Sequence, residues 1–521
     1  MSAEESSPSL ALTTLGRVPG PHRAAERGRS ARRLLVLLMA VAMAATGCAG
    51  DDEPPPGSPS SASMARPPIR PVEPLTPDDL AHAVTVDNVM AHIRALQQVA
   101  DADGGNRAAG TSGYDASLAY VADRLRAAGY LVSTPQFEFP RFDSGPVQLG
   151  ADGGRVDSQV LRYSAGTGGE TLTATPVEIS GHGCADSDYP SAVSDSIAVI
   201  TRGTCTFADK AHRAQEAGAV AVIVVNNTAG PLNGATLGVD DRPSIPVVGI
   251  ARDSGATVGG ASSVSLSVTA STTPIVSHSV IAQTRTGDTD DVVVAGAHLD
   301  GVRAGPGIND NATGTAALLE TALRLGSTPR AAHAVRFAFW GAEEDGLVGS
   351  RSYVDSLDPA ERDAVALYLN FDMLASPNGG YFTYDGDGSA RLGGRAGPPG
   401  SAGIEHLFTA FFASRGVPVQ PAAFDGRSDH APFAEIGVPV GGLTTGSDRE
   451  KSAAEADLWG GHTGTAFDPN YHGPDDNVAN VNTGLLAVNA SAIGFAIATY
   501  ALSTDGPDGV PTKEDRHRSD G

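Results

Sequence analysis

Cysteine is scarce, with three in 521 residues. They show no zinc-finger spacing, which excludes both a disulfide scaffold and a thiolate-held metal. Any metal would have to be held by His and carboxylates. Aromatic residues make up only 5% and Trp occurs twice. Basic residues are outnumbered, 36 against 60 acidic, for a formal charge of −24. A field of that sign repels phosphate backbones, so no nucleic-acid partner is expected. What is present, 41% hydrophobic and 18% charged residues, suits a soluble globular chain long enough for two or three domains.

Arg23, Arg27, Arg29, Arg32 and Arg33 precede an apolar run from Leu34 to Ala45. The run is shorter than the roughly 20 residues of a membrane-spanning helix, so residues 1–47 read as a secretion signal. Small residues before a lone cysteine, Ala45-Thr46-Gly47-Cys48, resemble a bacterial lipobox. That resemblance implies cleavage before Cys48 and lipidation of its sulfur. The alternatives are an ordinary signal peptide with free secretion, or twin-arginine export through Arg32-Arg33. Residues 48–74, rich in Pro and Ser, cannot bury a core and read as a flexible tether. The expected location is extracytoplasmic, with membrane contact only through the lipid anchor.

The mature chain divides by pattern. Residues 75–136 are helical, with Val89, Ile93, Leu96 and Val99 at helical spacing and a loop at Gly104–Tyr114. Residues 137–273 alternate short β-branched runs with Gly-rich turns, predicting a compact β-rich unit with one helix at 207–217. Residues 274–503 alternate apolar strands (292–297, 334–340, 364–370, 438–443) with helical patterns at 312–325 and 401–414. This predicts an α/β domain: three layers, a mostly parallel sheet, and helices on both faces. The helix at 485–502 is apolar almost all round and should be buried. Residues 504–521 read as a disordered tail.

The ends of those strands carry His298-Leu-Asp300, Gly341-Ala-Glu343-Glu344 and Asn370-Phe-Asp372, and Asp310 opens the helix after the first. Tyr471-His472 follows much later. Ligands of an open α/β sheet bind at the carboxyl ends of its strands. Each residue alone has a bland explanation, such as a helix cap or a solvated loop. Together, two His and three carboxylates meet the donor requirement of a two-zinc site, in which ions about 3.5–4 Å apart clamp both oxygens of a hydrolysis.

The series AHLD, GINDNATG, FWGAEEDGLVGS, NFDM and YHGPDDN resembles the secreted bacterial co-catalytic zinc aminopeptidases, of the aminopeptidase Y type. The resemblance spans about 89–137 and 275–500 and implies the zinc-exopeptidase fold with two zinc ions per chain. It implies that Asp310 bridges the metals, His298 and Asp372 complete one, and Glu344 and His472 the other. Glu343 would be the general base and Tyr471 the oxyanion donor. Asp300 would orient the His298 imidazole, and Arg427 would line the substrate site. Asp429 and His430 are read as scaffold around the pocket. Some relatives flank the Tyr-His pair with a disulfide; here Asn470 and Pro474-Asp475 stand instead, so that loop must be held another way.

The segments around Gly183-Cys184, Arg202-Gly-Thr-Cys205 and Ala217–Asn227 resemble a protease-associated (PA) domain inserted in the peptidase. Such modules are non-catalytic and would cover the active-site mouth, select substrates or act as a spacer. Cys184 and Cys205, the two cysteines left after Cys48, are expected to pair in an oxidising compartment, with a reactive thiol as the alternative. The overall expectation is a monomeric exported aminopeptidase acting on peptides with a free N-terminus. A carboxypeptidase or glutamate-releasing peptidase on the same scaffold would need a basic pocket, for which Arg427 is one candidate. A receptor-like protein would have lost the ligands that are retained here.

Overall fold

The computed structural model describes residues 76–519 apart from Asp241. The secretion signal, Cys48 and the tether to residue 74 lie outside the described residues. The apolar runs of the second half form an eight-stranded sheet. Its strands are β1 (Leu131–Ser133), β2 (Val280–Gln283), β3 (Asp288–His298), β4 (His333–Trp340), β5 (Val365–Phe371), β6 (Phe382–Tyr384), β7 (Gln420–Ala422) and β8 (Val440–Thr444). The order across the sheet is β1-β2-β4-β3-β5-β8-β6-β7. The central four, β4-β3-β5-β8, are parallel. The flanking β1, β2 and β6 pair antiparallel, so the parallel character expected from the sequence belongs to the middle of the sheet.

Strand alternation sends successive residues to opposite faces, and both faces are covered. Val293, Ala295 and Ala297 of β3 pack with helices Val86–Ala102, Ser112–Ala127, Thr313–Leu325 and Thr483–Leu502. Val292 and Val294 join a second core with Trp340, Tyr368 and Phe433, where the Tyr368 and Phe433 rings stack 4.0 Å apart. Burial on both sides is why these strands lack hydrophobic alternation. The closing helix is long and apolar enough to cross a membrane, but two-thirds of its apolar stretch is buried.

Two long antiparallel strands, Gln136–Ala151 and Val264–His278, lead out to the inserted unit and back, paired from Gln136 opposite His278 to Ala151 opposite Val264 with one register shift between Val268 and Ala270. The unit contains a five-stranded sheet with parallel pairing through Pro176–Glu178, Ile197–Thr201, Ala221–Val225 and Val247–Ile250. Helix Phe207–Glu216 begins at a capping box in which Thr206 and Asp209 satisfy each other's backbone N–H. Cys184 and Cys205 are joined as a disulfide, which excludes the reactive-thiol alternative.

The tail read as disordered is packed instead. Arg516, 8% exposed, pairs with Asp291 and donates to the Asp363 carbonyl. Arg518 donates to the carbonyls of Gly437 and Val365. The polar composition that suggested disorder supplies donors for carbonyls left open around the sheet, so order comes from hydrogen bonds rather than from an apolar face.

Candidate active site

β3 delivers His298 at its C-terminal end, fully buried. Its Nδ1 lies 3.1 Å from the Asp300 carbonyl oxygen. A carbonyl only accepts, so Nδ1 carries the hydrogen and Nε2 is the inward-facing nitrogen. That Nε2 stands 3.2 Å from Asp310 Oδ1 and 3.2 Å from Asp372 Oδ1. On the opposite side His472 Nε2 is 3.2 Å from Asp310 Oδ2 and 2.9 Å from Glu344 Oε2. Asp310 therefore presents one oxygen to each histidine, and two three-residue donor sets share it: His298, Asp310, Asp372 and Asp310, Glu344, His472.

The Asp300 carboxylate does something other than what the sequence suggested. It is 3.9 Å from His298 Nδ1, and it accepts the backbone N–H groups of Glu343 and Glu344 at 3.1 and 3.3 Å. The imidazole is oriented by the Asp300 carbonyl, while the carboxylate fixes the turn carrying the two glutamates. The other loops are held in the same manner. Asp476 accepts N–H from Asn309 at 2.7 Å and Asp310 at 3.0 Å. Asn480 ties Asp476 to Asp468 and accepts from Asn470. Asn309 donates to Asp468 at 2.6 Å. This network holds the Tyr471-His472 loop in place of the disulfide that the sequence lacks there. Ser428 donates to Asp372 Oδ2 at 2.7 Å, leaving Oδ1 to face His298.

Arg107, from the loop between helices Val86–Ala102 and Ser112–Ala127, is fully buried and donates to the carbonyls of Leu299, Pro306 and Gly307. It thereby spans both ends of the segment between His298 and Asp310. By sequence pattern this stretch is only a loop, with a single Arg among small and polar residues as its one signal. Gly305 is required where that segment meets the Tyr-His loop, because a Cβ there would lie 2.1 Å from the Gly473 carbonyl. Ala342, beside Glu343, Met373, beside Asp372, and His472 itself have φ of 56°, 54° and 56°. Left-handed backbone at non-glycine residues costs about 1–3 kcal/mol each and concentrates at functional sites.

Charge is concentrated here. Burial pushes the Glu343 carboxyl well above its ordinary range, with Glu344, Asp429 and Asp372 adding to it. Burial and the neighbouring Asp310 push Glu344 up to about 8. Burial would raise Asp310 too, but with both rings protonated, hydrogen bonds from His298 and His472 hold it well below the carboxylate range. His472 is driven up to about 10: burial opposes its charge, and Asp310 and Glu344 outweigh it. Glu344 Oε1 is buried without a partner. Neutral imidazole nitrogens facing carboxylate oxygens are mutually acceptors, so the donor sets require either added protons or cations between them. Hard oxygen and imidazole nitrogen donors in this number suit a divalent metal.

The site opens into a cleft of about 580 Å³ whose lining includes Asp310, Glu343, Glu344 and Asp372, the apolar and aromatic Met373, Phe382, Tyr384 and Phe467, and the charged Asp448, Arg449 and Glu455. Tyr471 lines it too, its ring stacked on His472 at 3.8 Å; burial raises its phenol well above the ordinary value. Arg427 lies at the cleft with Nη2 3.4 Å from the Tyr471 hydroxyl and Nη1 3.8 Å from Asp448. Asp429 is fully buried beside the site, and burial lifts its carboxyl to about 7. His430 is enclosed by the rings of Tyr384 and Phe424.

A three-layer α/β fold with a shared aspartate between two His-carboxylate sets at the strand ends defines a metallopeptidase. Residues 279–497 match the model of peptidase family M28, and residues 171–258 match the PA domain. The chain is 44% identical over 506 residues to a protein named probable lipoprotein aminopeptidase LpqL from Mycobacterium tuberculosis, covering 94% of this chain and 98% of the other. It is 40% identical to leucine aminopeptidase 2 of Trichophyton tonsurans, covering 84% and 88%. The solved structure of BSAP, a zinc aminopeptidase from Bacillus subtilis, superimposes with a TM-score of 0.58 at 25% identity, covering 83% and 99%. The chain belongs to peptidase family M28. It is a metallo-aminopeptidase with an inserted PA domain.

Proposed function

We propose that this protein is an exported, zinc-dependent aminopeptidase that holds two zinc ions, one by His298, Asp310 and Asp372 and the other by Asp310, Glu344 and His472. The observation that carries this is Asp310, whose two oxygens each stand 3.2 Å from the inner nitrogen of a different histidine. Bound zinc supplies Lewis acidity toward the scissile carbonyl and toward water.

The chain's own residues do the rest. Glu343, held by Asp300 at the edge of the donor sets, takes a proton from the attacking water and delivers it to the departing amine as the C–N bond breaks. Its raised affinity for a proton suits both transfers. The Tyr471 hydroxyl donates to the oxyanion; a neutral phenol is required, and burial keeps it neutral. The substrate's free ammonium is attracted by the cluster of carboxylates, with Glu343 and Asp372 nearest the reacting end. Met373, Phe382 and Phe467 form an apolar wall for the N-terminal side chain, which favours large apolar residues, in line with the leucine aminopeptidase name of one relative.

A carboxypeptidase reading is disfavoured because the cleft's guanidinium groups are already engaged. Arg449 is paired with Glu455 through both nitrogens, and Arg427 faces Tyr471 and Asp448. Export, with Cys48 as lipid anchor, rests on the leader sequence and on the lipoprotein relative; the enzyme would act as a monomer. Turnover of leucine p-nitroanilide and its N-acetyl counterpart, with and without chelator, tests the activity. Hydrolysis of the free-amine substrate alone, abolished by chelator and restored by two equivalents of zinc, is expected. Equal cleavage of both substrates, or indifference to chelator, would refute it.

A further inference from the structure

The turn Glu343-Glu344-Asp345 is gripped from two sides. On the peptidase side, the Asp300 carboxylate accepts the N–H groups of Glu343 and Glu344. On the other side, Arg162 of the inserted unit donates from Nη2 to the Asp345 carbonyl at 2.9 Å, and its guanidinium stands 3.5 Å from the Asp345 carboxylate. Arg162 is itself anchored: its N–H donates to the Ala235 carbonyl at 2.9 Å and its own carbonyl accepts from Leu237 at 3.0 Å. The turn closes on itself through Gly346 and Leu347 N–H donating to the Glu343 carbonyl. Around its base, Phe137 and Phe139 of the connecting strand pack with Ala342 and Val348.

We propose that Arg162 is a positioning residue through which the inserted unit sets the geometry of Glu343 and Glu344, so that the insert is a working part of the active site. The physical reason is leverage. Asp300 restrains the N–H side of two consecutive peptides, which leaves rotation of the turn about that edge as its free motion. A hydrogen bond to the next carbonyl, from a charged donor bridged to the Ala235–Leu237 segment of the inserted unit, removes that freedom, and charged donors form the stronger bonds. A 1 Å misplacement of a catalytic group costs on the order of 10²-fold in rate, so a partial loosening is expected to cost about ten-fold. The inference rests on the assignment of Glu343 as base and Glu344 as ligand, which Glu343→Gln tests separately.

The test uses the zinc-loaded full chain with Arg162→Ala and Arg162→Lys, and Arg155→Ala as a control that removes an exposed cation from the same unit. Expected for Arg162→Ala are a kcat about ten-fold lower, KM within two-fold of wild type, and faster hydrogen exchange at the amides of residues 343–347. Arg162→Lys, which keeps a cationic donor, should recover part of the kcat, and Arg155→Ala should match wild type. Unchanged kcat and exchange would overturn the proposal. So would faster exchange with kcat intact, or a rise in KM alone, which would place Arg162 in substrate access. If Arg162→Ala does not fold, Arg162→Gln gives the same readouts. Should Glu343→Gln prove active, the assignment of the base fails, while the exchange data still report whether Arg162 holds the turn.

Discussion

Arg107 offers a demanding test of how the site is built. It lies fully buried and donates to three carbonyls, two of which flank Asp310 by only a few residues. Burial lowers its pKa to about 10, with Asp300, Asp476 and Asp310 holding it up, so it remains charged at neutral pH. Hydrogen bonds from a charged donor contribute about 1.5–3 kcal/mol each, and orphaned buried carbonyls add to the loss. Allowing for non-additivity, Arg107→Ala should cost roughly 4–6 kcal/mol. The described chain runs from residue 76 to residue 519. At about 2.1 cal/mol/K per residue, each kcal/mol then moves Tm by only about 1 °C. The expected drop is about 4–6 °C by calorimetry, together with reduced zinc per chain by elemental analysis. Arg107→Lys keeps the charge beside the carboxylates but loses the fork, so it should restore zinc more fully than Tm. An Arg107→Ala protein with native Tm and full zinc would refute the reasoning.

Glu343→Gln should retain zinc and lose about 10²–10⁴-fold in kcat; stopped-rate assays with an aminoacyl p-nitroanilide measure this, and a wild-type rate would remove Glu343 from the mechanism. Asp310→Ala, which deletes the residue shared by both donor sets, should lose metal along with activity, and a variant holding two zinc ions would contradict the bridge. His430, buried and held near pKa 4, makes stability depend on pH. The unfolded chain takes up that proton at the ordinary value near 6.5, so the contribution is intact above pH 6.5 and drains as pH falls toward 4. Over that window wild type should lose about 3 kcal/mol more than His430→Phe, since each pKa unit is about 1.4 kcal/mol; parallel denaturation curves would show the burial is not what matters.

Much of this protein is legible in its sequence because its chemistry sits where the pattern changes. An apolar strand buried on both faces is recognisable without neighbours; His298 ends one, Asp372 follows one directly, and Glu343-Glu344 lie just past the end of another. The disulfide pair was legible by scarcity, with two cysteines left after Cys48. The tail was misread for the opposite reason: Arg516 and Arg518 look solvated by composition, and only their acceptors on distant loops order them.

The sequence by itself determined the inventory of donors and their delivery by strand ends, because strand periodicity and residue chemistry are local properties. Tertiary structure alone decided how each donor is aimed. Asp300 acts through its carbonyl on His298 and its carboxylate on the glutamate turn; Asp476 and Arg107 hold the Asp310 segment from far along the chain; Arg162 reaches the same turn from the insert. These are hydrogen bonds to backbone groups, which every residue carries, so no side-chain pattern in the sequence marks the partner.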